Sequence, residues 1–190
     1  MRIIGGEHRG AAIRTPKGRD TRPTTDRVRE ALFNVLTHAD FAPPLSGARV
    51  LDLFAGSGAL GLEALSRGAA FALFVDTDAK ARAAIRDNLV RLGLQGRAKI
   101  WRRDATRMGR CAPMPPFDLA LLDPPYDQGL AERALASLRE GGWLKPGALA
   151  VVEESARSAF TPPAPFAPLD VRTYGDTVLH FLRHAAPPAA

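Results

Sequence analysis

Cysteine is all but missing from this 190-residue chain. Cys111 stands alone, which excludes an internal disulfide framework and fits a reducing, cytoplasmic setting. Long apolar runs are missing too. None approaches the ~20 residues of a bilayer-spanning helix, and no charged-then-apolar leader is expected. The four histidines (His8, His38, His180 and His184) are scattered, with no spacing that suits a metal site or an acid–base pair, so metal is not expected. Aromatics make up 7% of the chain, and its two tryptophans, Trp101 and Trp143, read as core or strand-edge packing. Repeats and domain-separating linkers are likewise lacking, and 46% hydrophobic residues suffice for one substantial core.

What the chain does have is positive charge, unevenly placed. Residues 1–30 carry Arg2, Arg9, Arg14, Lys17, Arg19, Arg22, Arg27 and Arg29 against Glu7, Asp20, Asp26 and Glu30, an excess of four out of a net charge of +6. With a pI near 10.2, this is the electrostatic footprint expected of a nucleic-acid binder, although a basic arm can also serve solubility alone. Glycines and β-branched residues in "RIIGGEHRGAAIRTP" predict a short hairpin presenting those arginines.

Beyond it, strands and helices alternate, which predicts a mostly parallel α/β sheet. Helix is expected over 25–36, with Val28, Leu32, Val35 and Leu36 on one face and Thr24 or Thr25 as N-cap. Strands are expected at 48–55, 70–76, 97–104, 117–123 and 148–154, with helices between most of them. The helix "GALGLEALSRG" is expected to close at Gly68. "TPPAPFAP" reads as a loop, because prolines cannot join a sheet interior. "LDVRTYGDTVLHFLRH" reads as a hairpin turning at Gly175-Asp176, and 185–190 as a disordered tail.

Two motifs carry chemistry. "VLDLFAGSGALG" runs from a strand into a glycine loop with Gly56, Gly58 and Gly61 in a G-x-G-x-x-G spacing, then into a helix. Small residues there let the backbone approach a ligand at a helix N-terminus. Asp76 ends the second strand about twenty residues on, where an acid suits ribose hydroxyls, and Asp104 ends the third, where one suits an adenine amine. NAD and S-adenosylmethionine share these demands. Asp52, inside the strand before the loop, favours the methyl donor: it can orient loop amides and attract a sulfonium or amino group, whereas it would repel a pyrophosphate. The expected donor-binding set is Asp52, Phe54, Ala55, Gly56, Ser57, Gly58, Asp76, Thr77, Asp104 and Ala105.

The second motif is Asp123-Pro124-Pro125-Tyr126, after the apolar run "FDLALL". An aromatic amine is a poor nucleophile because its lone pair is delocalised into the ring. Asp123 and the Pro124 carbonyl can accept its two hydrogens, freeing the lone pair to attack a methyl group in line. Tyr126 offers a face for an extruded base, and the prolines stiffen the turn.

These segments, together with "MRIIGGEHRG", "RPTTDRVREALFNVL" and the closing "YGDTVLHF", resemble the bacterial 16S rRNA guanine 2-amino methyltransferase family (RsmD-type) nearly end to end. The resemblance implies a seven-stranded, Rossmann-like class I methyltransferase fold with a C-terminal antiparallel strand, a basic extension over 1–22 and a catalytic domain over 23–184. It also implies S-adenosylmethionine as donor, S-adenosylhomocysteine as product, and one guanine of 16S rRNA in the small ribosomal subunit as target. Apart from the resemblance, no membrane partner and a monomeric chain are expected. Asp123 to Tyr126 fall at the family's catalytic turn, and Arg22, Pro23, Thr24 and Thr25 in the motif bordering the cleft, alongside Arg2, Arg9, Arg14 and Arg19 as RNA contacts. Asp76 stands where the family more often has glutamate, and Asp78 is a rival for the ribose. Two other readings stay open: a DNA or RNA adenine 6-amino methyltransferase, and a NAD-binding oxidoreductase, which has no use for the D-P-P-Y turn.

Overall fold

The structure, a computed structural model, describes residues 1–16 and 24–185, with the side chains of Thr24 and Thr25 left aside. The expectations placed on Lys17, Arg19, Arg22 and Pro23, on the two threonine side chains and on 186–190 therefore lie outside the described residues. Ala185, the first residue of the expected tail, donates its amide to the Pro165 carbonyl.

In chain order the elements are α1 (Thr24–His38), β1 (Arg49–Leu53), α2 (Ala59–Ser66), β2 (Phe71–Val75), α3 (Ala79–Leu92), β3 (Ala98–Trp101), β4 (Phe117–Leu122), α4 (Leu130–Gly141), β5 (Leu144–Ser155), β6 (Phe166–Tyr174) and β7 (Thr177–His184). The seven strands form one sheet in the order β3-β2-β1-β4-β5-β7-β6. The first five run parallel; β7 enters antiparallel between β5 and β6. This is the mostly parallel sheet with an antiparallel C-terminal hairpin that the sequence predicts, and Gly175 and Asp176 lie in its turn, between the paired residues Tyr174 and Thr177.

Side chains alternate across the sheet and separate two cores. Val50, Leu119, Leu121, Leu149 and Val151 meet α1, α2 and α3 on one face, through Leu32, Phe33, Leu62, Leu65, Ile85 and Leu89. Leu51, Leu53, Ala120, Leu122 and Val152 meet α4 on the other, through Ala131, Leu135 and Leu138. Trp143 is fully buried in the second core, edge-on to Trp101 at 5.6 Å, and donates its indole N–H to the Gly109 carbonyl, so both tryptophans pack as expected.

The N-terminal segment forms a short antiparallel hairpin around the Arg2–Ala12 bridge, the Ile3 amide donating to the Ala11 carbonyl and the Ile13 amide to that of Met1, while Ile3 and Ile13 turn into the first core and the Ile4 and Gly5 amides donate to Glu63. Three local expectations need correction. β3 stops at Trp101, because the chain leaves the sheet edge at the exposed Arg102 and Arg103, and Asp104 then opens a 3-10 turn. β5 begins earlier than expected, at Leu144, through an irregular pairing with Phe117. The end of "TPPAPFAP" is strand: Phe166, Ala167 and Pro168 pair with β7, which proline tolerates because β6 is the sheet edge, and the register shifts right after it. Among the described residues, no helix is long and apolar enough to cross a membrane.

Candidate active site

The C-terminal ends of β1, β2, β4 and β5 open into a cleft of about 620 Å³, within the range of small-ligand sites. It lies where the sheet order reverses between β1 and β4, the usual ligand position of open α/β sheets. One wall carries Asp52, Phe54, Ala55, Gly56, Ser57, Asp76, Thr77, Asp104 and Ala105; another carries Asp123, Pro124, Pro125 and Tyr126. The two motifs that the sequence separates by about seventy residues thus share one cavity. Gly58 is not among the lining residues. It caps α2 at φ +78°, and a Cβ there would come within 3.0 Å of Ile85.

The glycine loop is held by carboxylates. The Gly56 amide donates to Asp76 Oδ2 (2.9 Å), and the Asp78 amide donates to Asp76 Oδ1 (2.8 Å). Asp78 itself caps α3 by accepting from Lys80, and it does not line the cleft. Asp52 accepts from the amide of Gly61, one turn into α2, at 2.9 Å. Burial pushes the Asp52 carboxyl up to about 8, against the downward pull of the Gly61 amide and with a further rise from Asp76. Asp104 accepts both the Thr106 hydroxyl and amide on Oδ1, at 2.7 and 2.8 Å, and these bonds hold its carboxyl below the usual carboxylate range. The loop backbone is strained at Phe54, φ +57°, a region non-glycine residues seldom occupy.

The second motif is braced from β5 and β7. The Tyr126 hydroxyl donates to Glu153 Oε1 (3.0 Å), and Thr177 bonds the same phenol. Burial, then the Glu153 charge, raise the phenol well above its ordinary value. Asp127, just after the turn, sits at φ +59°, and its amide bonds the buried Glu154, whose carboxyl burial also raises. Asp123 follows directly on β4, with its amide toward the Leu53 carbonyl at 3.5 Å.

Several of these residues escaped the sequence reading. Glu153 and Thr177 sit in strands whose apolar runs gave no chemical signal, and both line the cleft. Arg29 also lines it while only 3% exposed, between Asp26 at 3.0 Å and Glu63 at 3.9 Å, and donates to the Arg2 carbonyl. Asn88 ties the N-terminal segment to the glycine loop: it bonds the Arg14 backbone at both ends and donates to the Ser57 carbonyl (3.1 Å). Arg2, Arg9 and Arg14 lie on the exposed surface outside the cleft, Arg14 paired with Asp87 at 3.5 Å. Cys111 is buried, which raises its thiol, and it takes no part in the site.

The family described as "Conserved hypothetical protein 95" matches residues 1–183. Ribosomal RNA small subunit methyltransferase D of Escherichia coli K12 is 41% identical over 158 residues, 83% of this chain and 76% of that protein. The enzyme of the same name from Haemophilus influenzae is 38% identical over 165 residues, 85% of this chain and 83% of that one. Among solved structures, Escherichia coli yhhF superposes with a TM-score of 0.82 at 36% identity, over 98% of this chain and 99% of that one.

Proposed function

The chain belongs to the ribosomal RNA small subunit methyltransferase D family, and from that premise we propose that it methylates the exocyclic 2-amino group of one guanine in 16S rRNA of the small ribosomal subunit. The observation that carries this reading is the shared cleft. β1 and β4 are parallel neighbours in register, Leu53 beside Leu122, so the glycine loop after one strand and Asp123-Pro124-Pro125-Tyr126 after the other open side by side.

The wall of the cleft fits S-adenosylmethionine by the chemistry of its donors. A glycine loop at a helix N-terminus, Asp76 at the end of β2 and Asp104 with its bonds on Oδ1 suit an adenosine-bearing molecule, while the buried Asp52, neutral near pH 7, holds the start of α2 through the Gly61 amide and does not supply the charge expected to attract a sulfonium. Bound there, S-adenosylmethionine supplies a methyl group activated by its sulfonium and is left as S-adenosylhomocysteine. Asp76 lines the cleft and Asp78 does not, which favours Asp76 for the ribose.

Asp123 accepts one hydrogen of the target amine, and the Pro124 carbonyl the other. The nitrogen lone pair then forms the new N–CH3 bond, and the surplus proton passes to Asp123 or to water. Tyr126 stacks on the extruded base. The exposed Arg2, Arg9 and Arg14 meet RNA phosphates, giving affinity without sequence reading. The enzyme works as a monomer in the cytoplasm, where its rRNA substrate is found.

Asp123→Ala tests this assignment. Turnover should fall by about a thousandfold, while S-adenosylhomocysteine still binds by calorimetry within a few-fold. Near-normal turnover would refute the role of the turn.

A further inference from the structure

The last paired residues of β4 and β5 are Leu122 and Val152. The next residue after each is a carboxylate: Asp123, directly past the end of β4, and Glu153, within β5. Alternation along β5 places Glu153 on the face of Val151, and both carboxylates stand near enough to the Tyr126 phenol for their charges to act on it. Both acids line the cleft. Glu153 is held there by the Tyr126 hydroxyl on Oε1 (3.0 Å), and Thr177 bonds that phenol in turn. The Tyr126 phenol is pushed up by burial and by the charges of both acids, a second like charge that comes at an electrostatic cost. A glutamine at 153 would accept the tyrosine proton equally well and avoid that cost. Bracing Tyr126 by itself calls for an acceptor and not for a charge.

We propose that Glu153 determines which base the enzyme accepts, by taking the N1–H of guanine while Asp123 takes a hydrogen of the adjacent 2-amino group. This inference rests on the guanine 2-amino reading above. Guanine presents two neighbouring donors on this edge, N1–H and the 2-amino group, which two neighbouring carboxylates match. Adenine presents its amine beside a bare N1 lone pair, which a carboxylate repels. A buried acceptor left facing an acceptor discriminates more strongly than a missing contact does. Tyr126 then has two functions: its ring stacks on the base, and its hydroxyl holds Glu153 at the base edge through Oε1.

2-Aminopurine separates these ideas, since it keeps the reacting 2-amino group but has no hydrogen at N1. Small subunits would be reconstituted with 16S rRNA carrying guanine or 2-aminopurine at the target position, and kcat and KM measured for each with unlabelled and labelled methyl donor. The wild-type protein should prefer guanine by about ten- to a hundredfold in kcat/KM. Glu153→Gln, whose amide can donate to the bare N1, should reduce that preference to about threefold or invert it, with S-adenosylhomocysteine affinity holding within about twofold. Tyr126→Phe, which keeps the charge but frees the carboxylate, should give an intermediate ratio.

A wild-type ratio near one would overturn the proposal without any variant. So would Glu153→Gln slowing both substrates in equal proportion, the pattern expected if the acid only braces the turn. Label on an adenine of unsubstituted subunits would overturn the base reading itself, and nucleoside analysis distinguishes that failure from the other two.

Discussion

Asp52 and Asp76 lie 24 residues apart in sequence number yet act on the same loop from two neighbouring strands, Asp52 on the Gly61 amide and Asp76 on Gly56. Their environments differ. Asp52 is 1% exposed, and its folded-state pKa of about 8 lies above the ordinary 3.8. The folded protein therefore binds a proton there that the unfolded chain has released, between about pH 4 and about pH 8. The stability tied to that proton is full below this window and is lost as pH rises through it. Asp52→Asn keeps an acceptor for Gly61 and cannot ionise. Its melting temperature relative to wild type should rise from about pH 5 to about pH 8 and level off above that; a flat or falling difference over that window would show that the carboxyl is not neutral in the fold. Asp52, Asp76 and the D-P-P-Y turn were legible as residues because they lie within or directly after readable apolar strands, whereas Asp104, read as a strand end, opens a 3-10 turn three residues past the end of β3. Arg29, Glu63 and Asn88 were not: their partners lie as far as 27 to 74 residues away, and single helix positions carry no mark of such contacts.

At the level of elements, α2 is the joint between fold and site. Its N-terminus opens the glycine loop, and its Glu63 side chain, fully buried, accepts the Ile4 and Gly5 amides and pairs with Arg67 at 2.8 Å, anchoring the N-terminal segment. Gly61 fits the G-x-G-x-x-G spacing, but its smallness serves packing: a Cβ there would fall 2.4 Å from the Phe74 ring. Gly61→Ala should cost about 1–3 kcal/mol through overpacking, despite alanine's better helix propensity, as read from the urea midpoint. A stabilised variant would show that the loop, and not the α2–β2 contact, requires the glycine. Strand positions were readable from apolar runs, since β1, β2 and β4 are buried on both faces. Their ends were less so. β3 was overextended because nothing in "RAKIWRRD" marks where an edge strand leaves its neighbour. β6 was cut short because its prolines read as breakers, and edge position is a property of the sheet order, not of the segment.

Across the whole molecule, the sheet gathers the chemistry at one end while the N-terminal segment carries exposed arginines along the same chain that lines the cleft at Met1, Thr15 and Pro16. The segment and the glycine loop are joined through Asn88, so the proposed RNA contact and donor binding would act on connected parts of the structure. Replacing Arg2, Arg9 and Arg14 together with alanine should raise the KM for subunits and reduce the slope of log affinity against log salt by roughly 0.7–0.9 per lost phosphate contact. An unchanged slope would mean that the arm does not touch RNA. The central claim, methyl transfer to a guanine 2-amino group, is tested most directly with labelled S-adenosylmethionine and small subunits lacking the modification, followed by nucleoside analysis of the 16S rRNA. The account predicts label in 2-methylguanosine. Label in 6-methyladenosine, or none while the donor binds normally, would contradict it.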